Sequence, residues 1–395
     1  MIIFRMRFFV SIILLFCAAL ALAQSGPISH SGELIAQKRY KSAYQVLDSA
    51  DTVNQNPEIV IAKTDLLLNY NIGVNNHRVF ALNDSAPSQS VIQNRPIYVN
   101  FPADSILNEL IGKYPTNYTL HKSLGDYYLN VQLTDEEGWI MSDSALVIAI
   151  KDNYLLAYQH NVSDYKSLNG LGYTAMLEED FETAIAYLEQ SVKLNKNYPV
   201  ALSNLTDAYF ATGKFDNALL MAQEAFGLYT ENTDKAEAAR KIAEIYIEKK
   251  QNDKALLYYL KADEILPNDY LTLVPVLKLE MELNNPDYAN RTNQIITLAP
   301  DNPVVYQDVY KVYSENEKEK EFVAFLESQK VYYRSNVRAQ AHIHFYMAVA
   351  QYEQDDWVDA KINFEKARNL FRSFFKSNHS VFKVIDSYTN AIRKK

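Results

Sequence analysis

Cysteine is all but absent: the chain has one in 395 residues, Cys17, and it lies in an apolar N-terminal segment. A single cysteine excludes a disulfide framework within the chain and, once that segment is removed, thiolate catalysis and cysteine-based zinc sites as well. Glycine and proline are scarce, at 10 and 12 residues. A chain poor in both helix-interrupting residues is expected to be mostly helical. The same scarcity leaves no Walker-type loop, Gly-x-Ser-x-Gly elbow or Gly-x-Gly-x-x-Gly turn, so the phosphate-cradling and nucleophile-elbow chemistries lack a sequence basis. Basic residues are in the minority, 39 against 48 acidic ones, for a net charge of -9. An acidic surface repels phosphate backbones, and no nucleic-acid partner is expected. Beyond the N-terminus no apolar run approaches the length of a membrane span.

What is present begins with an export signal. Arg5 and Arg7 precede an apolar run from Phe8 to Leu22, and Ala21-Leu22-Ala23 gives a small-x-small cleavage pattern. The expectation is cleavage after Ala23, an exported periplasmic or outer-membrane-associated protein, and no transmembrane span thereafter. An uncleaved anchor is the other reading, for which the run is short. Lipid attachment at Cys17 would want a small residue before it, and Phe16 is not one. Loss of Arg5 and Arg7 would take the net charge from -9 to -11.

The rest of the chain is organised by a period. Ala184, Ala218, Ala255 and Ala289 are separated by 34, 37 and 34 residues, and each opens a helix-forming stretch. A fixed period of this size marks a stack of two-helix units, each burying its apolar face against its neighbours. The clearest unit runs from Pro199 to Thr230: Leu202, Leu205, Tyr209 and Phe210 recur at helical spacing, Gly213-Lys214-Phe215-Asp216 makes a turn, and Ala218, Ala222 and Ala225 line a second helix. Small residues let two crossing helices approach while large ones fill the space beside them. The 29 tyrosines suit such contacts, with the ring buried and the hydroxyl reaching water. This unit resembles a tetratricopeptide repeat. Its neighbours are similar: Tyr165 to Lys196 (Gly172, Phe181, Ala184, Leu188, Ser191) and Ala236 to Pro267 (Ile242, Ala243, Tyr246, Ala255, Tyr259, Ala262). A further unit has Met347, Ala348, Trp357, Ala360, Phe364 and Ala367. The unit from Tyr270 is weaker, with Asn293 where a large apolar residue belongs, and Val304 to Tyr332 is periodic without the small residues. The resemblance implies an all-α, right-handed α-solenoid of about seven or eight helix-turn-helix repeats.

Composition shifts divide the chain further. Residues 1–23 are the signal, 24–74 hold N-terminal repeat sequence, and 75–102 form an irregular insertion with three prolines. Apolar alternation around Val79–Leu82 and Ile97–Phe101 gives that insertion the look of a hairpin or ordered loop packed on the stack. Residues 103–164 hold degenerate repeats with a second insertion at 131–144, 165–300 the regular array, 301–370 degenerate and final repeats, and 371–395 a capping helix.

Candidate chemistry is thin. His342 and His344, two apart, point about 200° apart on a helix and cannot share a metal; they are expected to be partly exposed. Glu178-Glu179-Asp180 and Asp355-Asp356 fall in inter-helix turns, where carboxylates cap the following helix. No catalytic residue, metal ligand or cofactor is assigned. Five Asp-(Ser/Thr)-aliphatic triplets, at Asp48, Asp51, Asp84, Asp104 and Asp143, are similar to an O-glycosylation acceptor pattern of some exported Gram-negative proteins.

The resemblance places a partner in the groove lined by outward residues of the first helices. Mapped here these are Asn169, Tyr173 and Met176, then Ser203, Asp207 and Phe210, then Arg240, Glu244 and Ile247, and finally Lys278. A groove of aromatic, apolar and both signs of charge suits an extended peptide or a helix. The carboxylate clamp of chaperone-binding members is not matched: Asn169, Tyr173, Asn204, Glu237 and Lys241 depart from it at three of five places. The expected function is a non-enzymatic protein-protein scaffold or adaptor of a cell-envelope complex. The alternative is a carbohydrate-binding envelope protein that stacks sugars on Trp139 and the Tyr98–Phe101 region.

Overall fold

The computed structural model describes residues 26–84, 95–134 and 141–395. The N-terminal apolar segment expected to be a signal, the Ser-rich centre of the first insertion and Glu136-Glu137-Gly138-Trp139 lie outside these residues. The chain divides into two compact units, meeting in sequence at Thr212 and Gly213.

The first unit contains α1 (Pro27–Ala36), α2 (Tyr40–Ala50), α3 (Pro57–Tyr70), α4 (Ala103–Lys113), α5 (Tyr118–Leu133), α6 (Asp143–Gln159), α7 (Tyr165–Leu177), α8 (Phe181–Leu194) and α9 (Pro199–Ala211). The second contains α10 (Phe215–Leu228), α11 (Asn232–Glu248), α12 (Asn252–Ile265), α13 (Tyr270–Glu282), α14 (Tyr288–Leu298), α15 (Pro303–Glu315), α16 (Glu319–Tyr332), α17 (Val337–Glu353), α18 (Trp357–Phe371) and α19 (Ser380–Ile392). Second helices of the pairs carry one buried pattern, at a position and then four and seven residues on. Ile150/Tyr154/Ala157, Ala184/Leu188/Ser191, Ala255/Tyr259/Ala262, Phe322/Leu326/Gln329 and Ala360/Phe364/Ala367 are all buried. These steps return to one face of a 3.6-residue helix, which is why each helix buries a single stripe.

The first helices stop in a common way. Lys38, Glu179, Lys250, Asn284, Glu317 and Asp355 have left-handed backbone, with φ between 54° and 61°. The next residue's N–H donates to a carbonyl five residues back, as in Gln251 to Tyr246 and Asp356 to Gln351, both 2.9 Å. This closes the helix end and redirects the chain. Glycine is not needed at most of these turns, which is how a glycine-poor chain makes so many.

Ala289 departs from the sequence expectation. It is exposed, and Thr292 is the buried residue in α14, with Ile296 one turn later. The turn before α14 spans five residues, Leu283 to Asp287, where that before α12 spans three, Lys249 to Gln251. The longer turn, with one more residue of helix before the buried stripe begins, shifts the frame by three residues. Ile296 thereby fills the place that Asn293 fails to fill. Thr292 satisfies its hydroxyl on Tyr288 O (2.8 Å) and Tyr313 Oη (3.0 Å).

The described parts of the first insertion are built as strands. They form an antiparallel sheet β1–β2–β3 from Gly73–Asn75, Val79–Leu82 and Ile97–Asn100, with Phe80 paired to Val99. Phe80, Leu82, Val99 and Phe101 join the core of the first unit, and the Tyr127 hydroxyl donates to His77 O (2.8 Å). At the other end of the chain, α19 lays Phe382 and Ile385 into the core and stacks Tyr388 on Phe364 at 4.9 Å.

Candidate functional site

In the first unit, α3, α5 and α7 pack side by side, and the faces they leave uncovered line a cavity of about 350 Å³. Its walls come from Asp65, Leu68 and Asn69 on α3, Lys122, Asp126, Leu129, Asn130 and Leu133 on α5, Tyr154 on α6, and Asp164 to Lys166 at the start of α7, with Tyr198 beside them.

Tyr154 is the floor of this site. A Cβ on Gly125 would stand 2.6 Å from its ring and one on Gly170 2.4 Å, so α5 and α7 clasp the ring between two bare backbones. That clasp directs the Tyr154 hydroxyl to donate to Asp126 Oδ1 at 2.8 Å. Lys122 Nζ then bridges Asp126 Oδ2 and Asp164 Oδ2, both at 2.8 Å. Asp164 also caps α7: its Oδ1 accepts the Ser167 N–H (2.8 Å), and Ser167 Oγ accepts the Asp164 N–H (2.9 Å).

Burial pushes the Asp126 carboxyl above its usual range, against the pull of Lys122. Burial opposes the charge of Lys122, yet Asp126 and Asp164 together hold its ammonium above the ordinary lysine value. Burial would also raise Asp164, but Lys122 and the Ser167 N–H hold it below. Asp65 is exposed at the mouth, but neighbouring protein displaces enough water to raise its pKa, despite Lys122 and Lys166. Lys166 donates to Asn69 Oδ1 (2.5 Å), and Tyr165 meets Tyr198 edge-on at 4.9 Å.

The sequence-derived groove residues fall in both units, and each set is placed by itself. In the first unit Asn169 is buried and accepts from Asn204 Nδ2 at 2.9 Å. Tyr173, Met176, Ser203, Asp207 and Phe210 are half-buried. In the second, Arg240 pairs with Asp269, Glu244 with Lys241 (2.9 Å) and Lys278 with Glu315 (3.2 Å), while Ile247 is exposed. The sequence pattern does not reach Asp65, Lys122, Asp126, Tyr154 or Asp164. The signal that could have found them is Lys122 and Asp126, four apart on the first helix beginning near Tyr118, with Asp164 capping the next.

Other expected features resolve locally. Asp180 accepts from the Thr183 N–H (3.2 Å) and Asp356 from the Asp359 N–H (3.4 Å), each capping a second helix. His342 and His344 are buried rather than partly exposed, because α17 is enclosed by its neighbours; His344 Nδ1 meets Asn363 Oδ1 at 2.8 Å. Phe101 is 1% exposed and cannot stack a sugar; Tyr98 is 75% exposed, and Trp139 lies outside the described residues. Of the hydroxyl-bearing residues in the Asp-(Ser/Thr)-aliphatic triplets, Ser49, Thr52, Ser105 and Ser144 are exposed, and Ser85 lies outside the described residues. Among the described residues no three acidic or imidazole groups are gathered to hold a metal, and no helix is long and apolar enough to cross a membrane.

No curated protein matches the chain. Three solved structures of the same kind of fold show how distant the likeness is. A tetratricopeptide repeat protein from Parabacteroides merdae is 16% identical with a TM-score of 0.41, the match covering 69% of this chain and 98% of that one. The C-terminal part of a repeat protein from Cytophaga hutchinsonii is 13% identical with a TM-score of 0.42, covering 71% and 92%. YrrB, described as having an unusual peptide-binding site, is 14% identical with a TM-score of 0.37, covering 47% and 95%. Residues 175–226 match the family model described as tetratricopeptide repeat. That match makes residues 175–226 tetratricopeptide-repeat sequence, and the recurring buried stripe and common helix stops show helix pairs of the same kind in both units.

Proposed function

We propose that the protein is a non-catalytic interaction scaffold that holds a segment of a partner protein, peptide or helix, against the first-helix face of its first unit. The observation that carries this reading is the cavity between α3, α5 and α7, walled by leucines, tyrosines and charged groups. Pockets of this size with a few converging polar groups suit side chains delivered by a peptide. Lys122, Asp126 and Asp164 are engaged with one another in hydrogen-bonded pairs, an arrangement that suits recognition and orientation better than acid-base chemistry. We further propose that the scaffold works in the cell envelope, on the strength of the export pattern in residues 1–23. No cofactor is part of this reading.

The test is a photo-crosslinking amino acid placed at Leu133, which is 64% exposed and lines the cavity, and separately at Val358, which is 73% exposed on α18. Capture of one protein through position 133, absent through position 358 and lost when Leu68→Glu is added with unchanged helicity, is the expected result. Equal capture at both positions, or none at Leu133, would overturn the assignment of this face.

A further inference from the structure

We propose that this cavity anchors a lysine or arginine side chain of the partner segment, with the cationic head beside Asp65 at the mouth and the aliphatic stem along Leu68, Leu129 and Leu133. The inference rests on the scaffold reading above and names the chemistry its site selects.

Charge decides the sign of the occupant. Three carboxylates, Asp65, Asp126 and Asp164, face two ammoniums, Lys122 and Lys166, which leaves one negative charge over. Lys122 is spent on two carboxylates at 2.8 Å each, and Lys166 donates to an amide oxygen, that of Asn69. Asp126 is engaged by Lys122 and Tyr154, and Asp164 by Lys122 and the Ser167 N–H. Among the described residues the Asp65 carboxylate has no hydrogen-bond donor. It lies at the open end, within the field of Lys122 and Lys166 but hydrogen-bonded to neither. Burial raises its pKa against the pull of Lys122 and Lys166, which marks a partly dehydrated carboxyl.

Shape decides the rest. The leucines make a wall suited to methylenes, and Tyr165 and Tyr198 present ring surface that favours a cation over an apolar tip. An acidic side chain would meet Asp65 as a like charge, and a neutral one would bring it no opposite charge. A cation need not be fully dehydrated, because Asp65 remains in touch with water, so the desolvation that makes deep ion pairs unfavourable is reduced here. The preference is opposite to that of a carboxylate clamp. The net charge of -9 over the whole chain adds long-range attraction for a basic segment.

The experiment selects binders from a displayed library of random peptides on the full chain and on Asp65→Asn, then measures the selected peptides by fluorescence anisotropy. Asp65 is exposed, so its amide variant should fold, and circular dichroism checks that it does. The expected result is a shared Lys or Arg whose replacement by Gln weakens binding about tenfold, a discrimination that Asp65→Asn abolishes and that added salt erodes. Selection of Asp or Glu at that place, or an Arg-over-Gln preference unchanged in Asp65→Asn, overturns the basic anchor and leaves the scaffold reading intact. No selected peptide from the wild type, joined with no crosslink through Leu133, overturns both.

Discussion

At the residue scale, the first unit turns on a contact made by side chains that are not there. Alanine would ordinarily improve a helix over glycine by about 1 kcal/mol. At Gly125 the new methyl would lie 2.6 Å from a Tyr154 ring already clasped from the other side by Gly170, so the ring cannot yield. We predict that Gly125→Ala destabilises by about 1–3 kcal/mol. The loss should shrink in a Tyr154→Leu background, and strict additivity in a denaturant double-mutant cycle would refute the clasp. His342 gives a second residue-scale prediction. Burial against Tyr306 and Phe371 pushes its imidazole down to about 4; Asp301 opposes that shift and Arg338 assists it. The folded pKa is depressed below the ordinary histidine value of 6.5. Its stabilisation is therefore complete above that value and is lost as pH falls toward 4, on the order of 3 kcal/mol in all. His342→Phe should flatten the fall in α17 amide protection between neutral pH and pH about 4.5. A fall as steep as the wild type's would place its cause elsewhere.

At the element scale, the helix stops are where the chain departs from the best local choice. Lys250 holds φ of 56°, a conformation that costs an L-residue with a Cβ about 1 kcal/mol. Lys250→Gly should raise thermal stability by up to about that amount, less the extra freedom of glycine in the unfolded chain, and Lys250→Val should lower it by about 1–2 kcal/mol. If the two variants melted alike, the left-handed turn would not be setting stability there. The turn before α14 shows why element boundaries were harder to read than element types. Periodicity gave the helix, but Pro286 and its neighbours lengthened the connection, and only the packing of Thr292 and Ile296 reveals the shifted frame.

At the scale of the whole molecule, each unit is a chain of nearest neighbours. Phe364 is fully buried, 6.0 Å from Phe345 on α17 and 4.9 Å from Tyr388 on α19. Phe364→Ala should cost about 3–5 kcal/mol, with hydrogen-exchange protection lost mainly in α17, α18 and α19 and the effect fading toward α11. A uniform loss through the second unit would mean that it unfolds as one cooperative block instead.

The sequence by itself determined the class of the protein. A period near 34 residues, few glycines and prolines, and alternating small and large apolar residues admit only stacked helix pairs, because each amphipathic helix must bury one stripe and the stripes recur in step. Periodicity reports on burial along a helix and carries no information about which polar residues of different helices meet. The tertiary structure alone decided that Lys122, Asp126, Tyr154 and Asp164 form one network, that Asp65 stands at its mouth, and that the histidines of α17 are enclosed. Those facts follow from how neighbouring helices are set against one another, and that setting depends on side-chain volumes at crossings, down to the missing Cβ atoms of Gly125 and Gly170.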